Sequence, residues 1–188
     1  MSIIEALQAR RAIRSFEPRE IEQEKIEQLL KAATLAPNDR MREPWSFFVI
    51  QGEAKKRYEE VTYEYLQERF PTKPKLVESS LAAVRKTPVM IIVTSDIAST
   101  EADTKDNEYA VSCAIHSMWL AAQELDLGFV WRTRGVGLVH DNRSYEFIGA
   151  PEGKKVIGTI CLGYPDEKEL KDKKEKKRTS FKDKTVWL

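Results

Sequence analysis

Apolar positions along the chain alternate between a helical period and short unbroken runs. Ile26, Leu29, Leu30 and Ala33 fall at i, i+3, i+4 and i+7, which predicts a helix over about 22–35, stopped by Pro37. WSFFVIQG (45–52) reads as a buried strand closed by Gly52. Residues 53–69, rich in Lys, Arg and Glu, predict a solvent-washed helix, and 70–75, with Pro71 and Pro74, an irregular link. VESSLAAVRK (77–86) predicts a short helix and PVMIIVTSD (88–96) a strand buried on both faces. Over 106–126 Val111, Ala114, Ile115, Met118, Ala122 and Leu125 keep the helical period, and Trp119 and Ala121 widen the stripe, which marks a central helix. GFVWRT (128–133) and KVIGTICLGYP (155–165) are further strands, and DNRSYEFIG (141–149) a short helix with an Asp cap. At the start, Ile3 and Leu7 define the inward stripe of a first helix, which Arg10 continues at i+7. Strands alternating with helices predict one mixed sheet in an α/β or α+β domain.

Composition adds boundaries. With 188 residues and 41% hydrophobic content, the chain reads as one domain, 1–188, able to bury a core. Basic and acidic residues nearly balance, 31 against 30, so neither nucleic acid nor an anionic membrane surface is an expected partner. No apolar run approaches the length of a membrane span or a secretion signal. Cys113 and Cys161 are too few for a disulfide scaffold and read as buried structural thiols, so a cytoplasmic location is expected. Residues 166–178 carry seven Lys/Arg and five Asp/Glu and read as a solvated segment. Beyond it, Val186-Trp187-Leu188 is strand-like, and is expected to pair with a sheet edge, on this or another subunit.

Familiar catalytic motifs fail. The 149–154 stretch GAPEGK is one residue short of a phosphate loop, and Lys155 follows where Ser or Thr belongs. GVGLVH (135–140) lacks the third glycine of a dinucleotide fingerprint. Cys113, His116, His140 and Cys161 lack paired metal-ligand spacing, and no nucleophile elbow is present.

Three blocks stand out instead. Arg10, Arg11 and Arg14 lie within five residues, with no acid between Glu5 and Glu17. Arginine on an inward stripe needs an anionic partner, and the guanidinium fork suits phosphate. The alternatives are snorkelling, or pairing with helix carbonyls or a distant acid. The second block is APNDRMREPW (36–45), a polar loop between a helix stop and a buried strand. The third is Trp131-Arg132-Thr133, where a buried strand runs into an aromatic, a guanidinium and a hydroxyl.

Together with PVMIIV, EYAVSCAIHSMWLAAQELDLG and IGTICLGYP, these blocks resemble the flavin-dependent nitroreductase family in its short, minimal branch. The resemblance implies an α+β fold with a mixed, mainly antiparallel sheet flanked by helices. It implies a homodimer with a domain-swapped C-terminal strand and FMN at the subunit interface. It further implies two-electron transfer from NAD(P)H to a small electrophile (nitroaromatic, quinone or enone) by a ping-pong sequence, with no catalytic side chain assigned. By the same resemblance Arg10 and Arg11 match holders of the FMN phosphate and ribityl chain. Ala12, where Ser is usual, offers only its backbone. Arg14 matches a basic residue beside flavin N1 and O2, where a fixed cation stabilises the reduced ring. Asp39 replaces the usual His, Met41 and Glu43 depart from the commoner Asn and Gln, and Asn38 is the substitute contact. Trp131, Arg132 and Thr133 match the flavin-lining segment, and Lys176 and Arg178 match phosphate-clamping cations, Arg178 the better of the two. Competing expectations are a flavoprotein of this fold with another task (dehalogenation, flavin fragmentation, FMN storage) and a non-enzymatic anion- or nucleic-acid-binding module.

Overall fold

The computed structural model describes residues 2–171 and 178–188. In chain order the elements are α1 (Ile3–Ala9), α2 (Gln23–Thr34), β1 (Trp45–Ile50), α3 (Gly52–Arg69), α4 (Pro74–Arg85), β2 (Val89–Asp96), α5 (Glu101–Glu124), β3 (Gly128–Arg132), α6 (Asn142–Phe147), β4 (Lys154–Gly163) and α7 (Glu167–Lys171). Short 3-10 turns lie at Asp39–Met41, Gly135–Gly137 and Phe181–Lys184.

The sheet has the order β1-β2-β4-β3, and every hydrogen-bonded pair is antiparallel. The sheet expected to be mainly antiparallel is antiparallel throughout among the described residues of the single chain. The α3–α4 hairpin reverses the chain between β1 and β2, whereas the single helix α5 returns β3 in the direction of β2. β2 and β3 therefore run parallel, but β4 inserts between them, and no parallel ladder forms among the described residues. The α+β class stands.

β2 explains the core. Its alternate residues feed two clusters: Val89, Ile91 and Val93 meet α2 and α5, and Met90 and Ile92 meet α3 and α4. Buried on both faces, β2 needs no polar alternation, which is why its run is continuous. At 1.5–3 kcal/mol for each large side chain buried, roughly, these two layers dominate stability. α5 lies across one face and buries Val111, Ala114, Ile115, Met118 and Ala122.

Three expectations shift, two near helix N-termini and one within α5. α5 begins at Glu101, five residues before the periodic stripe, because Thr100 caps it by accepting from the Asp103 N–H (3.0 Å). Its first turn is polar and solvated, so apolar spacing carries no sign of it. On α1 the inward residue is Ala6; Ile3 and Leu7 are 74% and 38% exposed. The reason is backbone contact: the Gln123 amide donates to the Ala6 carbonyl (3.0 Å), an approach that suits a small residue. Cys113 is exposed on α5, and only Cys161 is buried.

Val186, Trp187 and Leu188 are exposed and join no ladder of their own sheet. Among the described residues no helix is long and apolar enough to cross a membrane, and no group of three or more potential metal ligands occurs.

Candidate functional site

The arginine block is anchored by α1 and α5. A capping box opens α1: the Ser2 hydroxyl accepts from the Glu5 N–H (3.2 Å), and the Glu5 carboxylate accepts from the Ser2 N–H (2.6 Å). These hydrogen bonds hold the Glu5 carboxyl below its usual range. The helix ends at Arg10, whose N–H donates to the Ala6 carbonyl. The Arg10 guanidinium then lies over the Trp119 ring, 4.1 Å from its centroid. Trp119 stacks on Phe129 (5.1 Å) and donates from Nε1 to the Arg11 carbonyl (3.3 Å). Arg11 donates from Nη1 to the Gln8, Ala9 and Arg10 carbonyls, closing the C-terminus of α1.

Arg178 reaches this place from the far end of the chain. Burial first, then the charges of Arg178 and Arg11, pull the Arg10 guanidinium below its ordinary value. The Arg11 and Arg178 guanidinium groups thus lie near enough for their charges to act on Arg10, and no ion pair among the described residues joins Arg10 or Arg178 to an acid. Like charges gathered without an acid suit a polyanion, and a phosphate above all.

Arg14 is not drawn into that cluster. It is exposed, its Nη1 donates to the Ala12 carbonyl (3.3 Å), and its N–H and that of Ser15 both donate to Glu169 (3.1 Å each). The segment between is pinned to β3 by the Ile13 N–H, which donates to the Phe129 carbonyl (3.1 Å). Lys176 lies outside the described residues.

The loop after α2 is anchored at the other end of α5. The Asn38 side chain accepts from the Glu43 N–H (2.9 Å), closing the loop on itself. Arg40, Met41 and Glu43 all hold left-handed φ values, 51°, 53° and 47°. Backbone strain of this kind gathers where geometry serves a site. Asp39 pairs with Arg42 (3.1 Å), and Arg42 reaches on to Asp103 (2.7 Å) and Asn107 (3.5 Å). Arg42 therefore offsets the acid that departs from the family pattern. Sequence reading missed this residue, although its i, i+3 spacing from Asp39 was a usable signal.

Strand alternation separates the third block. Trp131 packs with the α5-side cluster, whereas Arg132 faces the opposite layer, beside the Cys161 thiol. Burial pushes that thiol up, and Arg132 partly opposes the shift. Thr133 is exposed. The Trp131 Nε1 and Arg132 Nε atoms are buried donors without a hydrogen-bond partner among the described residues. Two glycines make room for these side chains. A Cβ on Gly158 would lie 1.9 Å from Trp131 Nε1, and one on Gly137 would lie 2.8 Å from the Arg132 Cβ. Neither glycine was singled out from sequence.

A sequence profile of the nitroreductase family matches residues 7–164. YfhC of Bacillus subtilis (strain 168), a protein whose name provisionally gives it NAD(P)H nitroreductase activity, is 28% identical over 181 residues, covering 94% of this chain and 89% of its own. The crystal structure of a nitroreductase-like family protein from Bacillus cereus superposes with a TM-score of 0.86 at 26% identity, covering 100% of this chain and 96% of that one. The fold is shared with the FMN-dependent nitroreductase NfnB from Mycobacterium smegmatis, solved in complex with NADPH (TM-score 0.80, 16% identity, 98% of this chain and 97% of that one). The match spans all three blocks up to Thr133 and most of the core, and by it the chain belongs to the nitroreductase family.

Proposed function

We propose that this chain is an FMN-dependent oxidoreductase that passes two electrons from NAD(P)H to a small electrophilic acceptor, a nitroaromatic, quinone or enone, in a ping-pong sequence. The observation that carries this reading is the nearness of Arg11 and Arg178 to Arg10, with no acid paired to Arg10 or Arg178 among the described residues. The residues fit the cofactor. Arg10, Arg11 and Arg178 would hold its phosphate, the Ala12 backbone its ribityl chain, and Trp131 and Thr133 its flank, whereas the Arg132 side chain, turned to the opposite face beside Cys161, would not line it. Arg14, exposed and clear of the phosphate cluster, would bring a positive charge to the ring edge, where reduction adds negative charge. When bound, FMN supplies hydride acceptance at N5 and delivery to the acceptor; the protein binds, orients and tunes it.

The same reading calls for a homodimer. Asp103, which anchors the Asn38–Asp39 loop, and Trp119, which carries Arg10, are 16 residues apart on one helix, about 24 Å along its axis. A single chain cannot bring both to one flavin, so the loop is assigned to the partner's site. α5 supports this: residues 109–123 hold no Asp, Glu, Lys or Arg, yet Tyr109 is 66% exposed. The exposed Val186–Leu188 segment would cross to the other subunit.

The test joins a visible spectrum of freshly purified protein, sedimentation at two concentrations, and steady-state NAD(P)H oxidation with a nitro compound. A yellow dimer that oxidises NAD(P)H only when the acceptor is present supports the reading. A yellow protein with no turnover points to storage or another flavin chemistry, and a colourless one with salt-sensitive oligonucleotide binding overturns it.

A further inference from the structure

A second concave site lies on the sheet face opposite α5, between the C-terminal end of α3 and residues 134–143. Its volume is about 570 Å³, within the range of small-molecule sites. The wall contributed by α3 and the residue that caps its C-terminus presents Tyr65 and Phe70, and the floor is Leu138. Leu138 is 2% exposed and holds a left-handed φ of 51°. A branched side chain resists that conformation, so it persists only because neighbours impose it. They do: the Leu138 carbonyl accepts from the Ser144 hydroxyl (2.7 Å) and from the Asp141 N–H (3.0 Å).

The two walls are joined by one side chain. Arg143 bonds Asp141 beside it (2.9 Å) and Glu68 across the cavity, so both acids facing the site are already held. The remaining cations of the lining, Arg69 and Arg134, have no ion pair with an acid among the described residues. Two aromatic rings, an apolar floor and two uncommitted guanidinium groups form a lining that suits a flat ring with an anionic substituent.

We propose that this cavity binds a planar aromatic ligand carrying a carboxylate or phosphate, with its ring against Tyr65 and Phe70 and its anion on Arg69 and Arg134. The cavity lies on the face of the sheet opposite Trp119 and the Arg10 guanidinium, so binding there does not depend on the proposed function; reading the ligand as acceptor or reductant does. The shared chemistry has two sources, an aromatic carboxylate acceptor or the phosphorylated adenosine end of the reductant.

Isothermal titration of the purified full-length protein with 4-nitrobenzoate and with the neutral 4-nitrobenzyl alcohol tests the site without any turnover. The benzoate is expected to bind about tenfold or more tightly than the alcohol, and Arg69→Ala and Arg134→Ala each to remove most of that difference. Arg134→Lys, which keeps the charge without the fork, is expected to fall between. Equal affinities for the two probes, or a benzoate preference that survives both alanine variants, overturns the proposal. Adenosine 2′,5′-bisphosphate competing for the same site, with the same losses in the variants, identifies the reductant as the source; benzoate binding without competition identifies the acceptor. Flavin content, read separately from the visible spectrum, decides the functional reading: a colourless protein that still shows the benzoate pattern sinks that reading and leaves this site standing.

Discussion

Replacing Gly158 by alanine is the sharpest probe of how Trp131 is held. An added Cβ would sit 1.9 Å from the Trp131 Nε1 atom and 2.5 Å from its Cδ1, so the indole has to leave its position. The displaced ring is packed against the α5-side core, so the cost is that of overpacking, about 1–3 kcal/mol. For a chain of this length that corresponds to a fall in Tm of about 2–12 °C. The backbone itself should not object, since Gly158 lies within β4 and outside the left-handed region. In a strand, alanine is instead favoured over glycine by roughly 0.5–1 kcal/mol. The two effects have opposite signs, and a double-mutant cycle separates them. In a Trp131→Ala background the steric cost disappears, so Gly158→Ala should become neutral or mildly stabilising. Urea denaturation of the four proteins measures the coupling, and absorbance at the flavin band follows cofactor retention, which should drop in the single Gly158→Ala variant. Equal stability of Gly158→Ala and wild type, or an unchanged penalty once Trp131 is gone, would refute the argument that the glycine exists to seat the indole.

Two further outcomes follow from charge placement. Arg178→Ala removes a like charge from beside Arg10, so the flavin-free protein should be unchanged or slightly more heat-stable while FMN affinity falls; thermal melts with and without added FMN measure both, and a lower melting point without FMN together with undiminished affinity would contradict the cluster. The Glu22 carboxyl is held at about 2 by hydrogen bonding from the Tyr164 hydroxyl, with Arg19 and Lys25 adding to the effect. Because its folded value lies below its unfolded one, its contribution is complete above about pH 4.5 and is lost as pH falls toward 2. Glu22→Gln should therefore show a shallower loss of stability across that window, and identical acid profiles for the two proteins would count against it.

How much was legible beforehand depended on whether a physical signal was local. β2 announced itself, because burial on both faces writes an unbroken apolar run. The body of α5 did likewise through its stripe, but the first turn is capped by Thr100 and faces water, so periodicity had nothing to report there. On α1 the apolar spacing pointed to Ile3 and Leu7, yet contact is made at Ala6, where a backbone carbonyl must come close to Gln123. The separation of Trp131 from Arg132 onto opposite faces is a plain consequence of strand alternation. Gly137 and Gly158 carry no such signal, because their role is defined by a side chain on another strand or turn. The nearness of Arg178 to Arg10 spans almost the entire chain and crosses a charged segment with no periodicity, so only family likeness could suggest it.

The proposed dimer gives a single cause to features that are otherwise unrelated. A monomer of this fold leaves Ile3 and Ile4 on α1 and Val186–Leu188 at the terminus exposed, and shows an uncharged stretch along its central helix. It also carries an arginine cluster at one end of that helix and a strained loop at the other. Two copies packed with their α5 helices antiparallel would bring the loop of each to the cluster of its partner, creating two equivalent sites. The like charges around Arg10 disfavour the empty state, and a bound phosphate would reverse that penalty. Under this arrangement dimer formation and cofactor binding favour one another by linkage, since each burial removes surface that the other leaves unsatisfied. Flavin-free protein should accordingly dissociate at higher concentration than the loaded form, a comparison that sedimentation at matched salt makes directly.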